Sequence, residues 1–234
     1  MTFPFSYYEL IETFPRRGCA ICNLLHDKVE KYIDHLLYER VTKPSTHDAF
    51  RASHGFCAVH GDLLLTAKGS ALGISILYRT SLKAGLAGLS DPDSGRGTGM
   101  GRRLGGATQM PLAPTAECPA CRQMLEAEEM LIDGLKGFVR DDRLMDAYRS
   151  SDGLCLPHVR LLMEAVTSAA ARDQLARIQA DHWQALLVEL ETFIEKHDYR
   201  RAHDRIGEER DSWRRVVRLI SGDPVVFGVR RAAE

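Results

Sequence analysis

Two cysteines separated by two residues can converge on one metal ion from a single turn of chain, and a Cys-x-x-His further on can supply the remaining corners of a tetrahedron. This chain carries that pattern twice. Cys19-Ala-Ile-Cys22 is followed by Cys57-Ala-Val-His60, and Cys118-Pro-Ala-Cys121 by Cys155-Leu-Pro-His158. The two sets use all 6 cysteines. A lone cysteine on an apolar helix is ordinarily a small core residue and a lone histidine a surface or capping group. Packing alone does not sort all the cysteines into two equally spaced sets, so the reading is two Cys3His sites that hold zinc, two ions per chain. Cys19, Cys22, Cys57 and His60 are expected to close one site, and Cys118, Cys121, Cys155 and His158 the other.

The text around the ligands is duplicated as well. Between Cys22 and Cys57 lie 34 residues and between Cys121 and Cys155 lie 33. Asp48-Ala49-Phe50-Arg51 leads through Ser53 and Gly55-Phe56 to Cys57, as Asp146-Ala147-Tyr148-Arg149 leads through Ser151 and Gly153-Leu154 to Cys155. Ile33-Asp34-His35-Leu36 matches Ile132-Asp133-Gly134-Leu135 at a constant distance after the first cysteine pair. The chain is thus an internal duplication of about a hundred residues. It divides into a first metal-binding helical repeat (1–89), a flexible Gly/Pro-rich linker (90–117), a second metal-binding helical repeat (118–200), and a C-terminal charged helix and tail (201–234).

Apolar spacing predicts an all-α fold. Leu24, Leu25, Val29, Tyr32, Ile33, Leu36 and Leu37 recur at three-and-four spacing, the signature of a long amphipathic helix whose first turn carries Cys22. A short leading helix from Tyr7 to Phe14 stops at Pro15, and Pro44 starts a return segment that includes a short helix over Asp48–Arg51. Gly55 frees the turn that presents Cys57. A second long helix is expected with Leu63, Leu64, Ala67, Leu72, Ile76 and Leu77 as its core face, open to interruption at Gly69 and Gly73, and with Lys68 toward water. In the second repeat Pro119 sits at a first-turn position, where its missing N–H is harmless. Another long helix runs from Asp173 to His197 with Leu175, Ile178, His182, Leu186, Leu190, Phe193 and Ile194 along one side. Trp213, Val216, Val217, Leu219 and Ile220 form a last amphipathic helix that ends at Gly222.

Charge and composition exclude some functions. A formal net charge of -1 argues against wholesale nucleic-acid binding. Arg200, Arg201, Arg205, Arg210, Arg214, Arg215 and Arg218 are the one route to nucleic acid, but interleaved Asp204, Glu208, Glu209 and Asp211 favour a salt-bridged solvent face. The N-terminus has no basic n-region and carries Glu9 and Glu12, nothing apolar is long enough to span a membrane, and the reading is a cytoplasmic chain with reduced thiols and no membrane partner. Gly95-Arg96-Gly97-Thr98-Gly99 has no preceding strand and no Gly-Lys-Ser/Thr after it, so a phosphate loop is not supported. Covalent haem is excluded because Asn23 and Arg122, not histidines, follow the Cys-x-x-Cys pairs. His197 and Asp198 beside Tyr199 are a thin candidate for a base or ligand site, solvated charge being the default at a helix end.

The two sets of ligands, Leu37-Tyr38-Glu39, Ala71-Leu72-Gly73-Ile74, Lys196-His197-Asp198-Tyr199-Arg200 and Asp211-Ser212-Trp213-Arg214, taken together, resemble the uncharacterised bacterial and archaeal family DUF6062. The resemblance covers the chain apart from the linker and the tail after Gly222. It implies a duplicated helical fold with Cys-x-x-Cys and Gly-x-Cys-x-x-His motifs, and no established activity. Expected function is therefore that of a zinc-binding scaffold or partner-binding module, a protein partner being implied and catalysis not. The alternatives are a redox switch or dithiol oxidoreductase using the same cysteines, or an iron–sulfur protein.

Overall fold

Proline and glycine punctuate the chain where the sequence places them. Helix α1 (Phe5–Thr13) closes at Phe14, immediately before Pro15. Helix α2 (Ala20–His35) runs into one wide π turn, Leu36–Arg40, in which Leu36 is buried while Tyr38, two residues on and so on the opposite face, is 91% exposed. Helix α3 (Pro44–Ser53) starts on Pro44 and stops at His54, whose φ of 56° is left-handed. Then follow α4 (Ala58–Leu65) and α5 (Ala71–Ser90). The second half repeats the order with α6 (Pro119–Gly137), α7 (Asp142–Arg149), α8 (Leu156–Ala165) and α9 (Ala169–Lys196). A 3-10 turn over Glu208–Asp211, α10 (Ser212–Ser221) and α11 (Pro224–Phe227) complete it. The computed structural model describes residues 4–67, 70–90, 113–198 and 205–228, and there is no strand among them. The glycine pattern at Gly95–Gly99, Lys68, Tyr199, Arg200, Arg201 and most of the expected linker lie outside the described residues.

The chain forms two compact units, Met1–Lys28 with Met124–Glu234, and Val29–Gln123. The division falls inside α2 and inside α6. In the larger unit α1 buries Tyr7, Leu10 and Phe14 completely; Tyr7 meets the Phe138 ring at 5.2 Å and Phe14 the Tyr148 ring at 5.3 Å. Gly134 leaves room for α1, since a Cβ there would lie 2.7 Å from Ser6 Oγ. Full burial of such side chains contributes about 1.5–3 kcal/mol each. In the smaller unit Leu36, Val41, Phe50 and Leu77 form the core, with Phe56 and Tyr78 packed against it.

Two expectations about helix faces are corrected. The segment after Cys57 is two helices, α4 and α5, in keeping with the interruption allowed at Gly69; Leu77 is buried as expected, but Leu72 is 75% exposed. A non-helical link resets the 3.6-residue phase, so a residue beyond it, such as Leu72, need not share the face of Leu64. On α9, Ile194 is 61% exposed although Leu175, Ile178 and Leu186 are buried, because the apolar stripe outruns what packs against it.

Candidate metal centres

The ligands pair differently from the tandem arrangement expected of two self-contained repeats. Cys19 and Cys22 converge with Cys155 and His158, and Cys57 and His60 converge with Cys118 and Cys121. Each centre takes its Cys-x-x-Cys from one repeat and its Cys-x-x-His from the other. Each also lies wholly within one compact unit.

In the first centre Cys19 and Cys22 bracket the start of α2, Cys155 is the N-cap of α8, and His158 stands in its first turn. His158 Nδ1 lies 3.4 Å from Cys19 Sγ, 3.4 Å from Cys22 Sγ and 3.2 Å from Cys155 Sγ, and the Cys22 and Cys155 sulfurs are 3.6 Å apart. In the second centre Cys118 and Cys121 bracket the start of α6, and Cys57 caps α4 with His60 in its first turn. His60 Nδ1 lies 3.3 Å from Cys57, 3.4 Å from Cys121 and 3.7 Å from Cys118, and Cys57 and Cys121 are 3.7 Å apart. Both centres therefore join two helix N-termini, where the backbone dipole favours thiolate.

These distances fit one tetrahedral ion. Zn–S bonds of about 2.3 Å and Zn–N bonds of about 2.0 Å give S···S edges of about 3.8 Å and S···N edges of about 3.5 Å. All the cysteines are free thiols, and within each set the ligand atoms lie within 4.8 Å of one another. A site that takes three thiolates and an imidazole has every corner occupied by protein.

Matched loops hold the Cys-x-x-His segments. Gly153 has φ 79° and Gly55 φ 94°, a left-handed backbone that L side chains rarely adopt. Before Cys155, Ser151 Oγ donates to Tyr148 O at 2.7 Å and accepts from Gly153 N at 2.9 Å, while Gln179 Oε1 accepts from Leu154 N at 2.9 Å and Tyr148 Oη at 2.6 Å. His182 Nε2 donates to the Tyr148 carbonyl at 3.0 Å, so its role is to position this loop. Before Cys57, the Ser53 hydroxyl lies 2.8 Å from Ala49 O and 2.9 Å from Gly55 O, and Phe56 N donates to Tyr78 Oη at 3.4 Å.

Without metal the crowded sulfurs divide their protons unequally. At Cys19 burial opposes ionisation, but hydrogen bonds from the Cys155 and Cys22 thiols and the charge of His158 outweigh it and hold the thiol well below its usual range. Cys22 is driven up by its hydrogen bonds to Cys155 and Cys19, and Cys155 chiefly by its bond to Cys19. Burial pulls His158 down, yet the Cys19 thiolate and the bonds to Cys155, Cys19 and Glu128 raise it well above its ordinary value. Hydrogen bonds from Cys118 and Cys121 bring Cys57 to about 3, while hydrogen bonds to Cys118 and Cys57 push Cys121 up. Each set thus holds one ready thiolate, beside Cys22 and Cys155 in the first and Cys121 in the second as thiols that a metal must deprotonate.

Three supporting residues escaped the sequence reading. Glu128, buried on α6, lies 3.0 Å through Oε1 from His158 Nε2. Its signal was present: an acid on the apolar stripe of Met124, Leu131 and Leu135. Gln179 is the corresponding exception on α9. Phe227 packs edge-on against the His158 ring at 4.9 Å, and nothing in its local sequence announces that contact. A cavity of about 370 Å³ lies beside the first centre, lined among others by Cys19, Cys22, Cys155, Arg17 and Arg214.

Away from the centres, His197 is exposed, its Nδ1 lies 2.7 Å from Phe193 O at the end of α9, and it gathers no site around it among the described residues. Arg215 pairs with Glu189 and Asp211, and Arg218 stands 3.6 Å from Asp223. A family model spanning residues 9–225 matches the chain. The chain belongs to DUF6062, a family of unknown function. No curated protein and no solved structure matches this DUF6062 member.

Proposed function

We propose that this DUF6062 chain is a zinc-stabilised helical scaffold that binds a protein partner, with two structural Cys3His centres. The observation that carries the zinc half is the convergence of three sulfurs and one Nδ1 at tetrahedral edge lengths in both centres. Thiolate and imidazole donors in a closed tetrahedron suit zinc, and a closed shell offers no open position for a substrate. Donor atoms this close together favour a single ion over an iron–sulfur cluster, whose irons and sulfides must fit between the ligands. The partner half rests on α10, where Trp213, Val217 and Ile220, at i, i+4 and i+7, are 46%, 58% and 46% exposed. No described helix is long and apolar enough to cross a membrane; with reduced, metal-bound cysteines, a cytoplasmic setting is part of the proposal.

Elemental analysis of the purified, untagged protein is expected to return two zinc ions per chain in a colourless solution. Verified removal of the metal should abolish the helical circular dichroism, because such sites contribute on the order of 10 kcal/mol of folding free energy. A metal-free protein that keeps its full helical signal overturns the proposal. A stoichiometric partner retained by the native chain but not by a Trp213→Ser, Val217→Ser, Ile220→Ser variant would establish the binding face. A second reading, a redox switch, draws on the Cys57 thiol at about 3, which becomes a reactive thiolate once metal has left.

A further inference from the structure

The two centres have identical donor sets, and both sit at paired helix N-termini. They differ one layer out. His158 Nε2 meets the buried Glu128 carboxylate at 3.0 Å. The equivalent atom of His60 is buried, with no hydrogen-bond partner among the described residues. The duplication explains the difference: counted from Cys19 and Cys118, the place of Glu128 is held in the first repeat by Val29, which is 1% exposed. A valine methyl cannot accept a proton.

We infer that the centres are unequal in grip: the Cys19–Cys22–Cys155–His158 centre binds zinc more tightly at equilibrium than the Cys57–His60–Cys118–Cys121 centre, with Glu128 as the positioning residue that makes the difference. This rests on the reading above that both centres bind zinc. A carboxylate behind a ligating imidazole keeps the proton on Nε2, aims the Nδ1 lone pair at the metal, and raises the basicity of the ring. His60 has none of these supports. Its Nε2–H becomes more positive when Nδ1 binds a cation, and in a buried place without an acceptor that polarisation is unfavourable. Loss of such a second partner weakens metal binding by about 10–100-fold. Because a cavity opens beside the first centre, the comparison belongs at equilibrium rather than in the rate of metal loss.

The test is competition at equilibrium between the two-zinc protein and the chromogenic chelator 4-(2-pyridylazo)resorcinol. Zinc is expected to leave in two steps separated by about 10–100-fold in free metal. A Cys57→Ser chain, keeping only the first centre, should bind its one zinc tighter by the same factor than a Cys155→Ser chain, which keeps only the second. Glu128→Val should collapse the two steps of the native chain toward one, and Glu128→Gln, which retains an acceptor, should restore part of the gap. Nitrogen NMR of the His158 ring should show a fixed Nε2–H tautomer that Glu128→Val loosens. Two zinc ions leaving with equal affinity, or the single-centre chains ranking in the opposite order, would sink this inference and leave the zinc scaffold intact. A native chain that takes up no zinc would instead sink the scaffold.

Discussion

The sulfurs of Cys22 and Cys155, 133 positions apart in the chain, stand 3.6 Å from each other, whereas Cys22 and Cys57, the nearer pair in sequence, serve different centres. Double substitution reads this directly. Cys22→Ser with Cys155→Ser damages one centre twice and should leave one zinc per chain, while Cys22→Ser with Cys57→Ser damages both and should leave none. Proton bookkeeping gives a second outcome at this scale. Cysteine thiols with their ordinary pKa of about 8.5 carry protons at neutral pH that zinc must displace, and wherever the fold is in place Cys22, Cys155 and Cys121 are held higher still. Uptake by the metal-free chain in weak buffer should acidify the solution, and the apparent zinc affinity should fall as pH falls, both measurable with an indicator dye. That these eight cysteines and histidines gather into two clusters able to hold a metal was legible from residue type and spacing alone. Glu128 was not, because a single acid on an apolar face is also what an imperfectly amphipathic helix looks like.

Among the elements, the loops before α4 and α8 are where sequence and structure agree most closely. Gly55 reads as a turn glycine because only a residue without a Cβ takes that backbone at little strain, and both it and Gly153 have positive φ. At Gly153 space is short as well: an added Cβ would lie 2.8 Å from Gln179 Nε2 and 2.9 Å from His182 Cδ2. Gly153→Ala should destabilise the zinc-loaded protein by about 1–3 kcal/mol, seen as a lower urea midpoint. Gln179→Leu strands the Leu154 N–H and the Tyr148 hydroxyl and should cost about 2–6 kcal/mol, since buried polar groups without partners cost about 1–3 kcal/mol each. The helices themselves were legible from their periodicity, and their ends from Pro15, Pro44, Pro119 and Gly222. Phase was less so: the break between α4 and α5 turns Leu72 to solvent, and α10 leaves Trp213, Val217 and Ile220 uncovered, because a period tells which residues share a face but not whether anything packs on it.

For the molecule as a whole, exchange of ligands makes the two repeats interdependent. A protease site placed within 91–112 and then cut would yield two pieces, each carrying half of both centres. The cut protein should elute as one species in size-exclusion chromatography while zinc is bound and separate when a chelator is added. Pieces that part with zinc still bound would mean that each repeat closes its own site after all. Residue type, spacing and periodicity suffice to read this chain as helical, duplicated, and supplied with eight cysteines and histidines of metal-binding spacing at helix starts, because those properties are local and survive being read one turn at a time. The pairing of the ligands was decided only by the tertiary structure. Both Cys-x-x-His segments present the same donors, and closing the loop from Cys22 to Cys155 rather than to Cys57 costs only about 1 kcal/mol more in chain entropy. So small a difference, set against metal binding on the order of 10 kcal/mol, leaves the choice to the packing of the helices that carry them.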